Sequence, residues 1–184
     1  MPRSWCWDRD LAPLQKAGFK PDAARGGGCR QLSFHRGRLQ QGAEARFGQI
    51  DILVNNAGIN GPIKPTWEYP LEDWDRVIAI DMNSVFYASR LAAKHMRDRK
   101  QGRIVTVSSI AGKEGVPNIS AYSAGQGRRD RLLKALAKEL ADSGVTVNCI
   151  APAMTATRSA HRHDRGAHPQ HEGQDPHGPP GGGR

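Results

Sequence analysis

Short apolar runs alternate with longer segments of helical period through the middle of the chain, residues 48–157. A continuous apolar run is typical of a parallel strand that is buried on both faces. Residues 52–54 have this form, residues 104–107 are predicted to be the next buried strand, and residues 145–150 a third apolar strand. The pattern therefore predicts three strands of one parallel sheet.

Two segments between these strands carry apolar side chains at the spacing of an amphipathic helix. They cover residues 71–99 and 122–142, and Gly144 is expected to end the second helix. Alternation of strands and helices predicts right-handed crossovers and an α/β fold. The expected architecture is a partial Rossmann-like, doubly wound parallel sheet with irregular N- and C-terminal segments.

The two ends of the chain follow a different pattern. Residues 1–47 contain no Gly-rich turn between an apolar strand and a helix, although residues 26–28 are all glycine. Residues 158–184 contain no aliphatic side chain larger than Ala, so this tail is predicted to be disordered. Its histidines lack a scaffold that would fix metal geometry, so we predict no metal site. The chain thus divides into a disrupted N-terminal segment 1–47, a core 48–157 and a disordered tail 158–184.

The formal net charge of the chain is +9, and more than half of it lies in residues 1–47. A basic segment can contact nucleic acid or a membrane surface. No aromatic–basic interleaving or recognition-helix pattern accompanies the charge, so a solvated end is the favoured interpretation. We therefore predict no nucleic-acid or membrane partner, with a basic nucleic-acid-binding protein as the alternative.

The cysteines and the hydropathy indicate a compartment. Cys6, Cys29 and Cys149 show neither paired nor metal-ligand spacing, which fits a reducing environment. Cys149 lies in an apolar strand and is predicted to be a small core residue. No run of about 18 apolar residues and no signal-type apolar segment occurs, so a cytoplasmic location is predicted.

Two motifs stand at the ends of predicted strands. DILVNNAG covers residues 51–58, and Ser109 is followed thirteen residues later by Tyr122 in SSIAGKEGVPNISAYSAG. Together they resemble the core of the classical short-chain dehydrogenase/reductase family, which transfers hydride between a nicotinamide cofactor and a carbonyl or alcohol. A complete member has about 250 residues, so the resemblance implies that this chain is truncated.

The resemblance implies three catalytic residues. Tyr122 would be the acid/base, Ser109 would hydrogen-bond the substrate oxygen, and Asn83 would position a water in the proton relay. A free phenol has a pKa of about 10, and the family lowers it with a lysine ammonium and the charged nicotinamide ring. The plainer interpretations are a loop tyrosine and a serine that caps the end of a strand.

The resemblance also implies a site for NAD or NADP. Its residues lie after the first and last core strands and at the acid/base position: Asn55, Asn56, Ala57, Gly58, Tyr122, Pro152 and Thr157. The two asparagine amides are equally suited to tying neighbouring strands together. An acidic residue after the second strand of this fold favours NAD, and Asp8 is the candidate.

The chain departs from the family pattern at several positions. Gln126 stands four residues after Tyr122, where the family has a lysine. A glutamine can donate a hydrogen bond to a ribose hydroxyl, but it carries no charge that would stabilise a phenolate. Residues 128–131 are Arg-Arg-Asp-Arg on a helix that packs in the family, unless they form a solvated helix face. With no Gly-rich turn to cradle the pyrophosphate, these departures imply impaired cofactor binding.

A change of reading frame would explain the departures. The segment GQGRRDR at residues 125–131 has allowed codons that give GKAGVIG in another frame, which restores the lysine. The residues at both ends of the chain also have allowed codons that, in another frame, encode sequences resembling segments of the family. The hypothesis is therefore a dehydrogenase gene translated through several base insertions or deletions, and the coding DNA at these positions decides it.

Besides a nucleic-acid-binding protein, two functions are consistent with the resemblance to the short-chain dehydrogenase/reductase family. The first is an NAD(P)-dependent oxidoreductase acting on a small-molecule carbonyl or secondary alcohol. The second is a catalytically inactive remnant that lacks the Gly-rich loop and the active-site lysine. The resemblance suggests a sugar-derived keto acid or a 3-oxoacyl thioester as substrate, and intact relatives form homo-oligomers through their two long helices.

Overall fold

The computed structural model describes residues 48–153, together with the backbone of two short strands nearer the N-terminus. All of these residues belong to one compact unit, Met1–Ala153. Thr157 and the tail 158–184 lie outside the described residues, so the cofactor contact of Thr157 and the disorder of the tail stay predictions.

Three parallel strands form the sheet that carries the site. They are β3 (Ile52–Asn55), β4 (Gly102–Val107) and β5 (Val145–Ile150), in the order β3-β4-β5. In the register, Val54 stands opposite Val105, and Val105 stands opposite Asn148. The predicted α/β fold with a parallel sheet is confirmed. Because all three strands run the same way, their carboxyl ends meet at one edge of the sheet.

Two further strands pair in parallel near the N-terminus. They are β1 (Trp5–Asp8) and β2 (Ala23–Gly26), which form a separate two-stranded sheet. The hydropathy pattern predicts no strand at β2, whose sequence AARG lacks a run of large apolar residues. Asp8, the candidate for NAD preference, is the last residue of β1.

A nearly continuous helix connects β3 to β4. It consists of α1 (Leu71–Ile78), one π-helical turn (Ala79–Asn83) and α2 (Ser84–Asp98), close to the predicted span 71–99. Acidic residues in the first turn of α1, Glu72 and Asp73, complement the positive end of the helix dipole. The π-helical turn inserts an extra residue in the helix and contains the buried Asp81.

Two helices connect β4 to β5. The short α3 (Ala111–Glu114) follows β4, and the long α4 (Ser120–Glu139) then leads to β5. The prediction that Gly144 ends the long helix is wrong, because α4 ends at Glu139. Gly144 instead lies in the turn before β5, with a φ of +70° that favours glycine. No described helix is long and apolar enough to cross a membrane.

The main core lies between the sheet and the helices α2 and α4. Its buried members come from both helices and from β4 and β5: Ala92, Ala93, Met96, Ile104, Leu133, Leu140 and Val145. Cys149 packs against this cluster, as predicted for a small core residue. The prediction that β3 is buried on both faces is wrong, and β5 is likewise exposed on one face. Ile52, Val54 and Ile150 are exposed, because α2 and α4 cover only the other face.

Candidate functional site

A polar cavity of about 190 Å³ lies at the carboxyl edge of the sheet. Its walls come from the segments that follow β3 and β4 and from one face of α4: Asn56, Gly58, Asn60, Val107, Ser108, Tyr122, Gln126 and Arg129. The three α4 residues are spaced i, i+4 and i+7, which places them on one side of the helix. The carboxyl edge is where ligands bind in open α/β sheets, so this cavity is the candidate site.

Arg129 is the deepest charged group in the cavity wall. Its side chain is 1% exposed, and its guanidinium donates to three backbone carbonyls. Nη1 donates to the Val107 oxygen at 2.9 Å, Nη2 donates to the Ala57 oxygen at 2.6 Å, and Nε donates to the Asp81 carbonyl. The planar guanidinium thereby joins the end of β4, the loop after β3 and the π-helical turn.

Asp81 is the carboxylate that faces this arginine. Its Oδ1 lies 3.8 Å from Arg129 Nη2, and the Asp81 residue is fully buried. The Ile59 N–H donates to Oδ1, and Gln126 Nε2 donates to Oδ2, both at 2.9 Å. Burial raises the pKa of Asp81 to about 6, although Arg129 and these two donors act in the opposite direction. Burial likewise lowers the pKa of Arg129, and Asp81 opposes that change.

The structure brings three of the predicted residues together in the cavity wall. Asn56 and Gly58 lie on one side, and Tyr122 lies on the α4 side. Ser109 and Asn83 are not among the lining residues. The Ser109 Oγ accepts the Ala111 N–H at 3.2 Å, and Asn83 ends the π-helical turn. Their catalytic roles stay predictions.

The remaining predicted residues serve the frame of the site. The buried Asn55 Nδ2 donates to Ser89 Oγ and to Thr106 Oγ1, each at 3.0 Å. This contact ties β3 to β4 and α2, in agreement with the structural alternative for that amide. The Pro152 carbonyl accepts the Ile110 N–H at 3.1 Å, which joins the segment after β5 to the segment after β4. Ala57 contributes the carbonyl that binds Arg129.

The sequence analysis does not predict that Asp81 and Arg129 belong to the site. Asp81 stands within the apolar stripe of the first predicted helix, and a charged residue in such a stripe is the signal that points to it. For Arg129 the interpretation as part of a solvated helix face is wrong, whereas Arg128 and Arg131 are exposed. Ser108 is the expected structural hydroxyl, since its Oγ donates to the Gln126 carbonyl at 3.0 Å.

Two described residues differ from the groups by which the resemblance implies that a nicotinamide dinucleotide is held. The Gln126 Nε2, which we expect to reach a ribose hydroxyl, donates to Asp81 instead. The Arg129 guanidinium donates to the carbonyl of Ala57, after β3, and to the carbonyl of Val107, at the end of β4. Within the described part of the chain, no group of three or more His, Cys, Asp or Glu residues is placed to hold a metal.

Comparison with known proteins gives the family. The family profile for short chain dehydrogenases matches residues 35–167. The chain is 46% identical over 109 residues to 2-dehydro-3-deoxy-L-rhamnonate dehydrogenase (NAD(+)) of Sphingomonas sp. (strain SKA58), covering 59% of this chain and 44% of that protein. It is 42% identical over 112 residues to the 3-oxoacyl-[acyl-carrier-protein] reductase of Synechocystis sp. (strain ATCC 27184 / PCC 6803 / Kazusa), covering 61% and 45%. The chain thus spans less than half the length of these relatives.

Solved structures agree with the sequence comparison. An NAD+-bound xylitol dehydrogenase superposes with a TM-score of 0.77 and 29% identity, over 86% of this chain and 64% of that chain. A metagenomic short-chain oxidoreductase in complex with NADP superposes with a TM-score of 0.74 and 28% identity, over 82% of this chain and 70% of that chain. Both comparisons support the parallel-sheet α/β fold.

Proposed function

Because this chain belongs to the short-chain dehydrogenase family, we propose that it is by descent an NAD(P)-dependent oxidoreductase acting on a carbonyl or secondary alcohol. The observation that carries the proposal is the position of Tyr122 in the cavity at the carboxyl edge of the sheet. A phenol there is placed to give a proton to a substrate oxygen or to take one from it. Ser109 and Asn83 are the proposed partners of that proton transfer.

The substrate proposed for the ancestral reaction is a hydroxy or keto compound that carries an acid or acyl group. The rhamnonate dehydrogenase and the 3-oxoacyl reductase among the relatives support this class. A sugar-derived keto acid is the first choice and a 3-oxoacyl thioester is the second. NAD and NADP stay equal candidates for the cofactor, since one structural neighbour holds each of them.

We further propose that this chain, with Gln126 in place of the family's lysine, catalyses the reaction slowly. Gln126 carries no charge, and its amide N–H is bound to Asp81. The Arg129 cation is paired with Asp81 and held by backbone carbonyls, so it is a poor substitute for a mobile lysine ammonium. Loss of one group from a catalytic unit costs about 10²–10⁴ in rate.

A catalytically inactive remnant is the second candidate, and the uncharged Gln126 at the position of the family's lysine favours it. The two candidates differ in residual turnover. The test measures oxidation of short hydroxy acids through the nicotinamide absorbance, at high cofactor concentration. The wild-type chain is compared with the double variant Gln126→Lys/Arg129→Val, and Tyr122→Phe is the control.

The oxidoreductase proposal predicts slow turnover that Tyr122→Phe abolishes and that the double variant raises by about 10² or more. Equal turnover in the wild type and the double variant would contradict the role given to the missing lysine. If neither protein turns over while both remain folded by circular dichroism, the chain is the inactive remnant.

A further inference from the structure

The end of α2 binds both polar groups of the Ile50 main chain. The Ile50 N–H donates to His95 Nε2 at 3.3 Å, and the Ile50 carbonyl accepts from Arg99 Nη1 at 3.2 Å. His95 lies in the last turn of α2, and Arg99 caps the C-terminal end of that helix. The two side chains therefore hold the chain against α2 just before β3 begins at Ile52.

Two donors converge on the same ring nitrogen of His95. Besides the Ile50 N–H, the Arg99 Nη1 atom lies 3.5 Å from His95 Nε2. A backbone N–H and a guanidinium can only donate, so Nε2 must be the unprotonated nitrogen of a neutral imidazole. The single ring proton then sits on Nδ1. The contacts of His95 thus require one charge state and one tautomer.

Protonation of His95 removes this acceptor. An imidazolium carries a proton on both ring nitrogens, so its Nε2–H would face the Ile50 N–H. The added charge would also lie beside the Arg99 guanidinium, and like charges repel. Imidazole changes its charge between about pH 5 and 8, so the hydrogen bond from Ile50 depends on pH in that range.

Neighbouring charges do not replace the lost contact. Among the described residues, the charged groups around His95 come from α2 and from the segment before β3: Lys94, Arg97, Asp98, Arg99 and Asp51. The two carboxylates attract an imidazolium, but neither can turn Nε2–H into an acceptor for Ile50. Hydrogen bonds from Arg99 and Arg97 hold the pKa of Asp51 and Asp98 below the ordinary value of 3.8, so both stay ionised throughout the range in which imidazole titrates.

We propose that His95 is a pH-sensitive latch on the start of β3. The neutral imidazole holds Ile50 against α2, and the protonated imidazole releases the Ile50 N–H. From this latch β3 leads to Asn55, and Asn56 and Gly58 after it belong to the cavity wall. The inference goes beyond the proposed oxidoreductase function, since the latch requires neither a cofactor nor turnover.

The experiment measures amide hydrogen exchange of the isotope-labelled full chain by NMR, at about pH 7.5 and at about pH 5. Protection factors remove the intrinsic pH dependence of exchange. The Ser108 N–H, which donates to the Ile150 carbonyl at 2.8 Å, is the internal reference. His95→Gln is the matched variant, because its side-chain carbonyl can accept the Ile50 N–H at either pH. A long-range nitrogen spectrum of the imidazole reports which ring nitrogen carries the proton.

The latch predicts that the protection factor of Ile50, relative to that of Ser108, falls about tenfold from pH 7.5 to pH 5 in the wild type. In His95→Gln the same ratio stays constant. Asp81 also titrates near pH 6, where its pKa lies, and it is still present in His95→Gln. The comparison of the two proteins therefore assigns the change to His95.

Three results would overturn the latch. They are a proton on His95 Nε2 at pH 7.5, an Ile50 protection ratio that does not change with pH, and a fall of equal size in His95→Gln. The ring-nitrogen spectrum and the exchange data of the wild type keep the test valid even if His95→Gln does not fold.

Discussion

At the scale of single residues, the Asp81–Arg129 pair determines the character of the site. Both groups are fully buried, and burial of a charge is costly even when a partner is present. The guanidinium offsets part of this cost through its three carbonyl acceptors. Arginine is mostly exposed in proteins, so the sequence alone does not predict a buried Arg129. Its burial follows from the position of α4, which brings Arg129 next to Asp81.

The raised pKa of Asp81 predicts a pH dependence of stability. Burial raises its pKa from the ordinary value of 3.8 to about 6 in the folded chain, so folding favours the protonated carboxyl. The contribution of Asp81 to the free energy of unfolding is therefore greatest below about pH 4 and is lost as the pH rises through 6. Relative to Asp81→Asn, the wild type should gain about 2 kcal/mol between pH 7 and pH 4 in urea unfolding.

The comparison with Asp81→Asn isolates this effect, because other carboxylates titrate in both proteins. Asp51 and Asp98 have a lowered pKa owing to hydrogen bonds from Arg99 and Arg97, so they reduce stability as the pH falls in each protein. Asp75→Asn, at an exposed position of α1, is the control. A difference between wild type and Asp81→Asn that stays constant or shrinks toward pH 4 would show that Asp81 is not buried as described.

At the scale of elements, the contact between α3 and α4 holds the site residues of α4 in place. A Cβ built on Gly112 would lie 2.5 Å from the Gly127 nitrogen, and one on Gly127 would lie 2.6 Å from the Gly112 oxygen. The two backbones therefore meet at a distance that admits only glycine. The close contact between Gly112 and Gly127 fixes the turn of α4 that contains Gln126, one turn after Tyr122.

Gly112→Ala should separate the two helices and destabilise the chain by about 1–3 kcal/mol, because the methyl group meets backbone atoms that cannot rotate away. The measurement is urea unfolding, with Lys113→Ala at the neighbouring exposed position as the control. An unchanged midpoint in Gly112→Ala would mean that α3 and α4 are farther apart than the structure places them.

The three core strands can be predicted from the sequence, whereas the end of α4 and the contacts of Gln126 cannot. The strands at 52–54, 104–107 and 145–150 follow from their apolar runs, and all three occur in the sheet. The end of α4 at Glu139 could not be predicted from Gly144, because that glycine serves the turn into β5. The hydrogen bond from Gln126 Nε2 to Asp81 Oδ2 joins residues that are 45 positions apart in the chain, and no local pattern encodes such a contact.

At the scale of the whole molecule, an apolar groove between α2 and α4 suits association with a second copy. The groove has a volume of about 450 Å³, and its apolar residues include Phe86, Leu91, Leu132 and Leu136. Phe86 is 42% exposed on α2. A homo-oligomer through these two helices is the arrangement that the sequence resemblance implies, and the groove supports it as a proposal.

Phe86→Glu should convert an oligomer into a monomer, because a charge would be buried in an apolar interface. Light scattering after size exclusion measures the mass of each species. Trp67→Glu replaces another exposed aromatic, 85% exposed and outside the groove, and should leave the mass unchanged. A wild-type chain that is monomeric at all concentrations would remove the proposal.

We propose that this short-chain dehydrogenase fold keeps the tyrosine of the family while the site beside it binds a nicotinamide dinucleotide poorly. The most direct test is a fluorescence titration of the full chain with NADH and with NADPH. We predict that neither shows saturation in the micromolar range, because Gln126 is bound to Asp81 and Arg129 occupies the strand-end carbonyls. Saturable micromolar binding of either dinucleotide would show that the proposed loss of cofactor affinity is wrong.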